Sequence, residues 1–300
     1  MDYVLETLHE MSDEEAREYI SLLFSGYMTR KKEHRLFNDS DIIPKLIILN
    51  YYAFVKKPSF DQIVYNFKRR YIYNENKVES VHSHNEQKGL ACVYDYILKK
   101  NNLNDISIYD LSYIHEELYS KTAYPEFGGK YRNEDIYLLS GNNNTGNIEL
   151  TPYWNITHEM NELKPEVEEI VKEGLSLAKN TRPDLLMQYI DRCIELKCKL
   201  IKIHPFRDGN GRSVRGFINL LFRIANVPPI YIRNKEKKKY QEVMNKALLT
   251  GDYKYIKTFY YYKICDSIID LDLEINISMK NNKYSSNVSD YSYKKGGYKK

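Results

Sequence analysis

Residues 183–225 constrain this chain more than any other stretch, because two apolar helical patterns meet there across a short loop dense in polar chemistry. In the first, Leu186, Ile190, Cys193, Ile194, Leu196, Leu200 and Ile203 recur mostly at steps of three and four. Pro183 suits a first turn, so residues 183–203 are expected to form a long buried helix. His204 and Pro205 end it, since proline cannot continue the hydrogen-bond ladder. Asp208, Gly209, Asn210 and Gly211 make the loop. A second helix is expected over 212–225 and stops before Pro228 and Pro229.

A glycine-bearing loop that feeds a helix N-terminus is an anion site. The first N–H groups of a helix lack partners, and the helix dipole is positive there. Gly209 and Gly211 let backbone close around phosphate oxygens, and Arg212 and Arg215 share a helix face aimed at the same anion. A carboxylate beside a phosphate site, Asp208, is the usual ligand of Mg²⁺. His204 is the side chain here that can act as a general base near neutral pH. Taken singly, each feature has a bland meaning: a packed histidine, a turn, two solvated arginines. Together they point to phosphoryl or nucleotidyl chemistry. GxxxxGK[ST] is absent and no GxGxxG follows a strand, which excludes a P-loop NTPase and argues against a dinucleotide fold.

The rest of the chain reads as mainly helical. Further helices are expected over 13–24, 40–55 (Ser40 or Asp41 as N-cap, Pro44 in the first turn), 88–100, 108–119 and 157–177. Ile136–Leu139 and Ile148–Leu150 flank SGNNNTGN, a turn composition that suits a β-hairpin or exposed flap and equally suits a plain surface loop.

Composition bounds the class. Apolar residues are 42% and charged residues 29% of 300, which excludes a wholly disordered or fibrous chain. The net charge of +4 is concentrated in residues 276–300, with six lysines and one acid, expected to be a disordered tail. The remainder holds 39 basic and 40 acidic side chains, so global charge gives no case for a nucleic-acid groove. The apolar run 46–55 is too short to span a bilayer, and MDYVLETLHE has no basic region of a signal peptide. Four cysteines without metal or disulfide spacing suggest a reducing cytoplasm.

HPFRDGNGRSVR resembles the signature of Fic-domain proteins, HxFx[DE]GNGRxxR, at every fixed position. GKYRNEDIYL with ELTPYWNITHEMNEL, and YQEVMNKALLTGD further on, are similar to the family's flap and closing helices. The resemblance implies an all-α helical bundle with one β-hairpin flap and an N-terminal helical extension. It divides the chain into an N-terminal helical region (1–87), a core (88–262), a closing helix (263–275) and the tail. It implies that His204 takes a proton from a target hydroxyl and that Asp208 holds Mg²⁺ or Mn²⁺. Gly209, Asn210 and Gly211 would cradle phosphates; Arg212 and Arg215 would contact the β- and γ-phosphates. Phe206 would brace the loop, and Tyr240 would lie near the nucleobase or simply in the core. Ile136, Tyr137, Leu138 and Leu139 would pin the target by strand addition. A lysine at the position of Gly211 marks a phosphate-transferring branch, so glycine implies transfer of AMP with loss of pyrophosphate.

Residues 73–80, YNENKVES, are similar to the family's inhibitory helix, [ST]xxxE[GN], with Glu79 as the acid that pairs with Arg215. Glu75 stands where Ser or Thr is expected, and Ser80 where Gly or Asn is expected; a plain solvated glutamate is the other meaning of Glu79. The function implied is a protein adenylyltransferase that moves AMP from ATP to Tyr, Thr or Ser hydroxyls, inhibited by Glu79 and able to modify itself. Removal of AMP at the same site and a non-catalytic nucleotide sensor are the alternatives. The partners expected are ATP and a hydroxyl-bearing protein, with no membrane and no nucleic acid; a homo-oligomer stays open.

Overall fold

Helices account for nearly all the regular structure of this computed structural model, which describes residues 43–54, 60–138 and 148–270 and scattered residues between Ser12 and Tyr27. In chain order they are α1 (Ile43–Phe54), α2 (Phe60–Val78), α3 (His84–Lys99), α4 (Asp110–Tyr119), α5 (Ile156–Glu162) and α6 (Lys164–Lys179). Then follow α7 (Pro183–Ile203), α8 (Asn210–Ile224), α9 (Lys237–Thr250) and α10 (Lys254–Asp270). Leu138 and Ile148 form an antiparallel bridge, the one isolated bridge among the described residues. Leu139 and the SGNNNTGN turn, like Ser40, Asp41, most of 13–24 and the tail, lie outside the described residues.

Helix α8 is the axis of the packing. It lies against α3, α4, α6 and α7, and all its residues except Gly211 and Arg223 are buried. A helix buried on every side needs apolar residues all round, and Val214, Phe217, Ile218, Leu220, Leu221 and Phe222 supply them. Among its polar members, Asn219 donates to the Ile230 carbonyl and accepts from the Ile230 N–H, both at 2.9 Å. Helix α7 matches the expected span residue for residue, with its apolar stripe inside. Helix α1 packs on α7 and α10, and Tyr27 donates to Asp266 of α10 at 2.8 Å.

Several expectations shift. The helix expected over 157–177 is two, α5 and α6, broken at Leu163 because Pro165 fits only a first turn. Helix α8 starts at Asn210 rather than Arg212, because Gly209 at φ +75° turns the chain into it. Helix α2 was anticipated only in its last residues. Its inward face carries Phe67, Tyr71, Glu75 and Val78, and a glutamate on that face blunts the apolar period. The boundaries drawn at 87 and 262 fall inside α3 and α10. Among the described residues no helix is long and apolar enough to cross a membrane.

Truncating Phe217, fully buried on α8, should cost about 3–5 kcal/mol in urea unfolding of Phe217→Ala. Arg192→Ala, which removes the partly exposed pairs with Glu169 and Glu173, should cost about 1 kcal/mol or less.

Candidate active site

The end of α7 shapes the first half of the site. His204 is its C-cap in the left-handed region, φ +52°, with its N–H still bonded to the Leu200 carbonyl at 3.0 Å. Its Nδ1 lies 3.2 Å from the Ile201 carbonyl. A carbonyl only accepts, so Nδ1 carries the proton and Nε2 keeps its lone pair. Burial pushes the imidazole pKa down, more than the Ile201 bond raises it, and nearby Arg132 lowers it further. The ring is thus neutral at pH 7, with the base atom at Nε2.

Arg132 holds this corner. Its Nε donates to the His204 carbonyl at 2.9 Å, Nη1 to the Glu134 carbonyl at 2.8 Å, and Nη2 to the carbonyls of Thr151 and Ile203. One buried guanidinium therefore caps the end of α7 and ties both arms of the bridge at Leu138–Ile148 to it. Arg132 lies within GKYRNEDIYL, but no spacing in the sequence distinguishes a carbonyl clamp from a surface arginine.

The loop itself is braced from within. Phe206 is buried and stacks on His115 with centroids 3.8 Å apart. The Asn210 side chain accepts from the Phe206 N–H at 2.9 Å and donates to its carbonyl at 2.7 Å. Both polar ends of the side chain are thus turned to the loop, which leaves the backbone N–H groups at the start of α8 as the donors facing the cavity. His115 Nδ1 accepts from the Gly129 N–H and Nε2 donates to the Asp208 carbonyl, each at 2.9 Å. Tyr119 donates to Asp208 Oδ2 at 3.0 Å. His115 and Tyr119 are four apart on α4, one helical turn, which was the available sequence signal for both. The Asp208 side chain is 76% exposed and open to a cavity of about 790 Å³.

That cavity collects the predicted residues. His204, Asp208, Gly209, Asn210, Gly211, Arg212, Arg215, Tyr240, Glu79 and Leu138 all line it. Phe206 lies beneath it, and Ile136 and Tyr137 are not on its wall. The two arginines face different acids. Arg212 pairs with Glu86 and, at 3.6 Å, with Asp208; its buried Nε has no hydrogen-bond partner among the described residues. Arg215 donates from Nε to Glu75 at 2.6 Å and from Nη2 to Glu79 at 2.6 Å. Tyr240 is buried, accepts from Lys197 at 2.9 Å and turns its ring to Arg215, 5.8 Å from the guanidinium carbon.

Glu79 sits just past α2, in a Schellman turn: Ser80 N–H donates to the Lys77 carbonyl at 3.0 Å, and Val81 N–H to the Asn76 carbonyl at 2.9 Å. Ser80 takes φ +60°, which explains why glycine or asparagine suits this position. Burial raises the Glu79 carboxyl pKa, but Arg215, then Arg212 and Lys237, outweigh it and hold it below the usual carboxylate range. The pair is therefore intact throughout the neutral range and is lost only as acid pH protonates Glu79. A Cβ added at Gly211 would fall 2.7 Å from Glu79 Oε1 and 3.1 Å from Arg215 Nη1, so glycine is needed for this approach.

For a divalent ion the donor set is one exposed carboxylate oxygen pair; among the described residues no three His, Cys, Asp or Glu cluster. This fits a hard ion shared with substrate phosphates rather than a protein cage. The open carboxylate beside the partnerless Arg212 Nε suits a polyphosphate with such an ion.

Comparison with known proteins agrees with this geometry. Residues 105–222 match the family model described as Fic/DOC family. This segment is similar to a Fic domain. The chain is 28% identical over 173 residues to protein adenylyltransferase Fic of Culex quinquefasciatus, covering 56% of this chain and 30% of that one. It is 26% identical over 177 residues to protein adenylyltransferase fic-1 of Caenorhabditis elegans, covering 58% and 31%. This chain thus spans about a third of the length of these curated relatives. Among solved structures, Fic-1 (residues 134–508) from C. elegans superposes with TM-score 0.57 at 17% identity, covering 78% of this chain and 70% of that one. A Fic domain containing signaling protein from Bacteroides thetaiotaomicron superposes with 0.56 at 14% identity, covering 78% and 97%. These structures share the fold.

Two neutral imidazoles give a pH test. Burial pushes His115 down to about 4 and His204 below its ordinary value. The unfolded chain binds these protons first, so stability is full above about pH 6.5 and falls as pH drops from there toward 4. NMR titration should find both rings neutral at pH 7, and urea unfolding should show the acid loss.

Proposed function

We propose that the chain is a protein adenylyltransferase that moves AMP from ATP to a Tyr, Thr or Ser hydroxyl of a protein. The observation that carries this is the His204 ring, neutral, with Nδ1 occupied and Nε2 available, on the wall shared with the α8 N-terminus, Asp208, Arg212 and Arg215. The names of the curated relatives support the reaction class.

The triphosphate lies along the first N–H groups of α8, where the helix dipole favours anions. Arg212 and Arg215 supply charge-assisted hydrogen bonds along the chain of phosphates. Asp208 would hold Mg²⁺ or Mn²⁺, which when bound neutralises phosphate charge. The target hydroxyl gives its proton to His204 Nε2, and its oxygen bonds to the α-phosphorus. The bond from the α-phosphorus to the bridging oxygen breaks, its electrons leave with pyrophosphate, and AMP stays on the target as an ester. Leu138 borders the cavity, which supports a target segment lying along Ile136–Leu139 as an added strand.

Glu79 is the brake in this reading. It takes Arg215 Nη2, the group that would otherwise bind the γ-phosphate, so ATP can enter without its α-phosphorus in line with the hydroxyl. Self-modification uses the same release.

His204→Ala should lower transfer of label from α-³²P-ATP by about 10²–10⁴-fold while ATP binding persists. Asp208→Ala should lose most activity together with the dependence on added divalent ion; full transfer in EDTA would contradict the assignment. Glu79→Gly should raise labelling of the chain and of lysate proteins, and Arg215→Ala should not respond to the same change. Equal labelling by wild type and Glu79→Gly would remove Glu79 from the regulation.

A further inference from the structure

Arg215 is held by two carboxylates that differ in every respect that matters for exchange with a ligand. Glu79 is 34% exposed, lies at the cavity wall and bonds Nη2. Glu75 is 0% exposed, is absent from the cavity wall and bonds Nε from the buried side. Its second oxygen accepts the Ile232 N–H at 3.4 Å, which ties it to the segment leading into α9. A guanidinium is a rigid fork, so a partner fixed at Nε sets the direction of the Nη groups.

We propose that Glu75 is a positioning residue: it anchors the Arg215 guanidinium from within, so that Glu79 and the terminal phosphate of the nucleotide exchange at the Nη edge of an arginine that itself stays in place. This rests on the proposed nucleotide site, in which Arg215 meets the γ-phosphate, and goes beyond it by separating a fixed partner from a displaceable one. Two carboxylates on one guanidinium leave an excess negative charge. Burial accordingly raises the Glu75 carboxyl above its usual range even against Arg215, whereas Glu79 is held low. Removing Glu79 alone therefore does not release the arginine into the cavity. Glu75 still holds Nε, and the ring of Tyr240 still faces the guanidinium.

The γ-phosphate contribution to binding reads this directly and needs no transfer to occur. Calorimetry would compare ATP with ADP on the full chain in Glu79→Gly, Glu75→Gln/Glu79→Gly and Glu75→Met/Glu79→Gly. In Glu79→Gly, ATP should bind roughly tenfold or more tighter than ADP, the scale of a charge-assisted hydrogen bond. Gln keeps an acceptor for Nε–H, so its double variant should hold that ratio to within about threefold. Met fills similar volume without an acceptor, so the ratio should fall toward one. An unchanged ratio in the Met variant overturns the proposal. So does a change of about tenfold in the Gln variant, in either direction; that variant keeps an acceptor on the Arg215 Nε–H although both carboxylates are gone. A rise in both variants makes Glu75 a second blocking acid. Absence of transfer in Glu79→Gly would sink the proposed reaction and leave the binding ratios to judge Glu75.

Discussion

A guanidinium placed in the middle of a buried helix must find anions, and that requirement organises this molecule. Arg215 lies on α8, the helix against which most of the bundle packs. Left alone, such a charge would cost several kcal/mol of lost hydration. The last turn of α2 supplies Glu75, the turn after it supplies Glu79, and Tyr240 of α9 supplies a ring face, all to one side chain. The docking of the N-terminal segment and the state of the cavity are therefore one problem in electrostatics. The same two acids that dock the end of α2 on α8 thereby set the charge at this wall of the cavity.

A second guanidinium does complementary work at the other wall. Arg132 gathers carbonyls from His204, Ile203, Glu134 and Thr151, groups that a helix end and two loops would otherwise leave open. The left-handed turn of His204 is held from one side by this clamp and from the other by its own bond to Ile201. The tautomer of the His204 ring is thus set by backbone geometry and needs no acidic partner, unlike the carboxylate-oriented histidine of a serine protease triad.

What the sequence made legible was the part written in local pattern. Helix α7 followed its three-and-four spacing, and the loop and helix after it followed from glycine, proline and charge. The pairing of Glu79 with Arg215 was visible only through a motif, since 136 residues separate them in the chain. Glu75 had looked like a departure from that motif, yet it makes the more buried bond to the same arginine. Helix α2 was hidden for the same reason: a glutamate on its inner face breaks the apolar period that would have announced it. The loop bonds of Asn210 were likewise not visible, because its residue type suits a phosphate as well as a loop brace. Polar residues whose partners are distant in sequence are where local reading ends.

Gly211 has a meaning beyond room for a phosphate. A methyl group there would stand 2.7 Å from the Glu79 oxygen, closer than carbon and oxygen tolerate. The missing side chain at 211 is what lets the Glu79 carboxylate and the Arg215 guanidinium meet at this spot. Bulk gained at 211 would have to displace the Glu79 carboxylate from its place beside Arg215. The choice of residue at 211 thus depends on the acid at 79, a steric dependence between positions far apart in the chain.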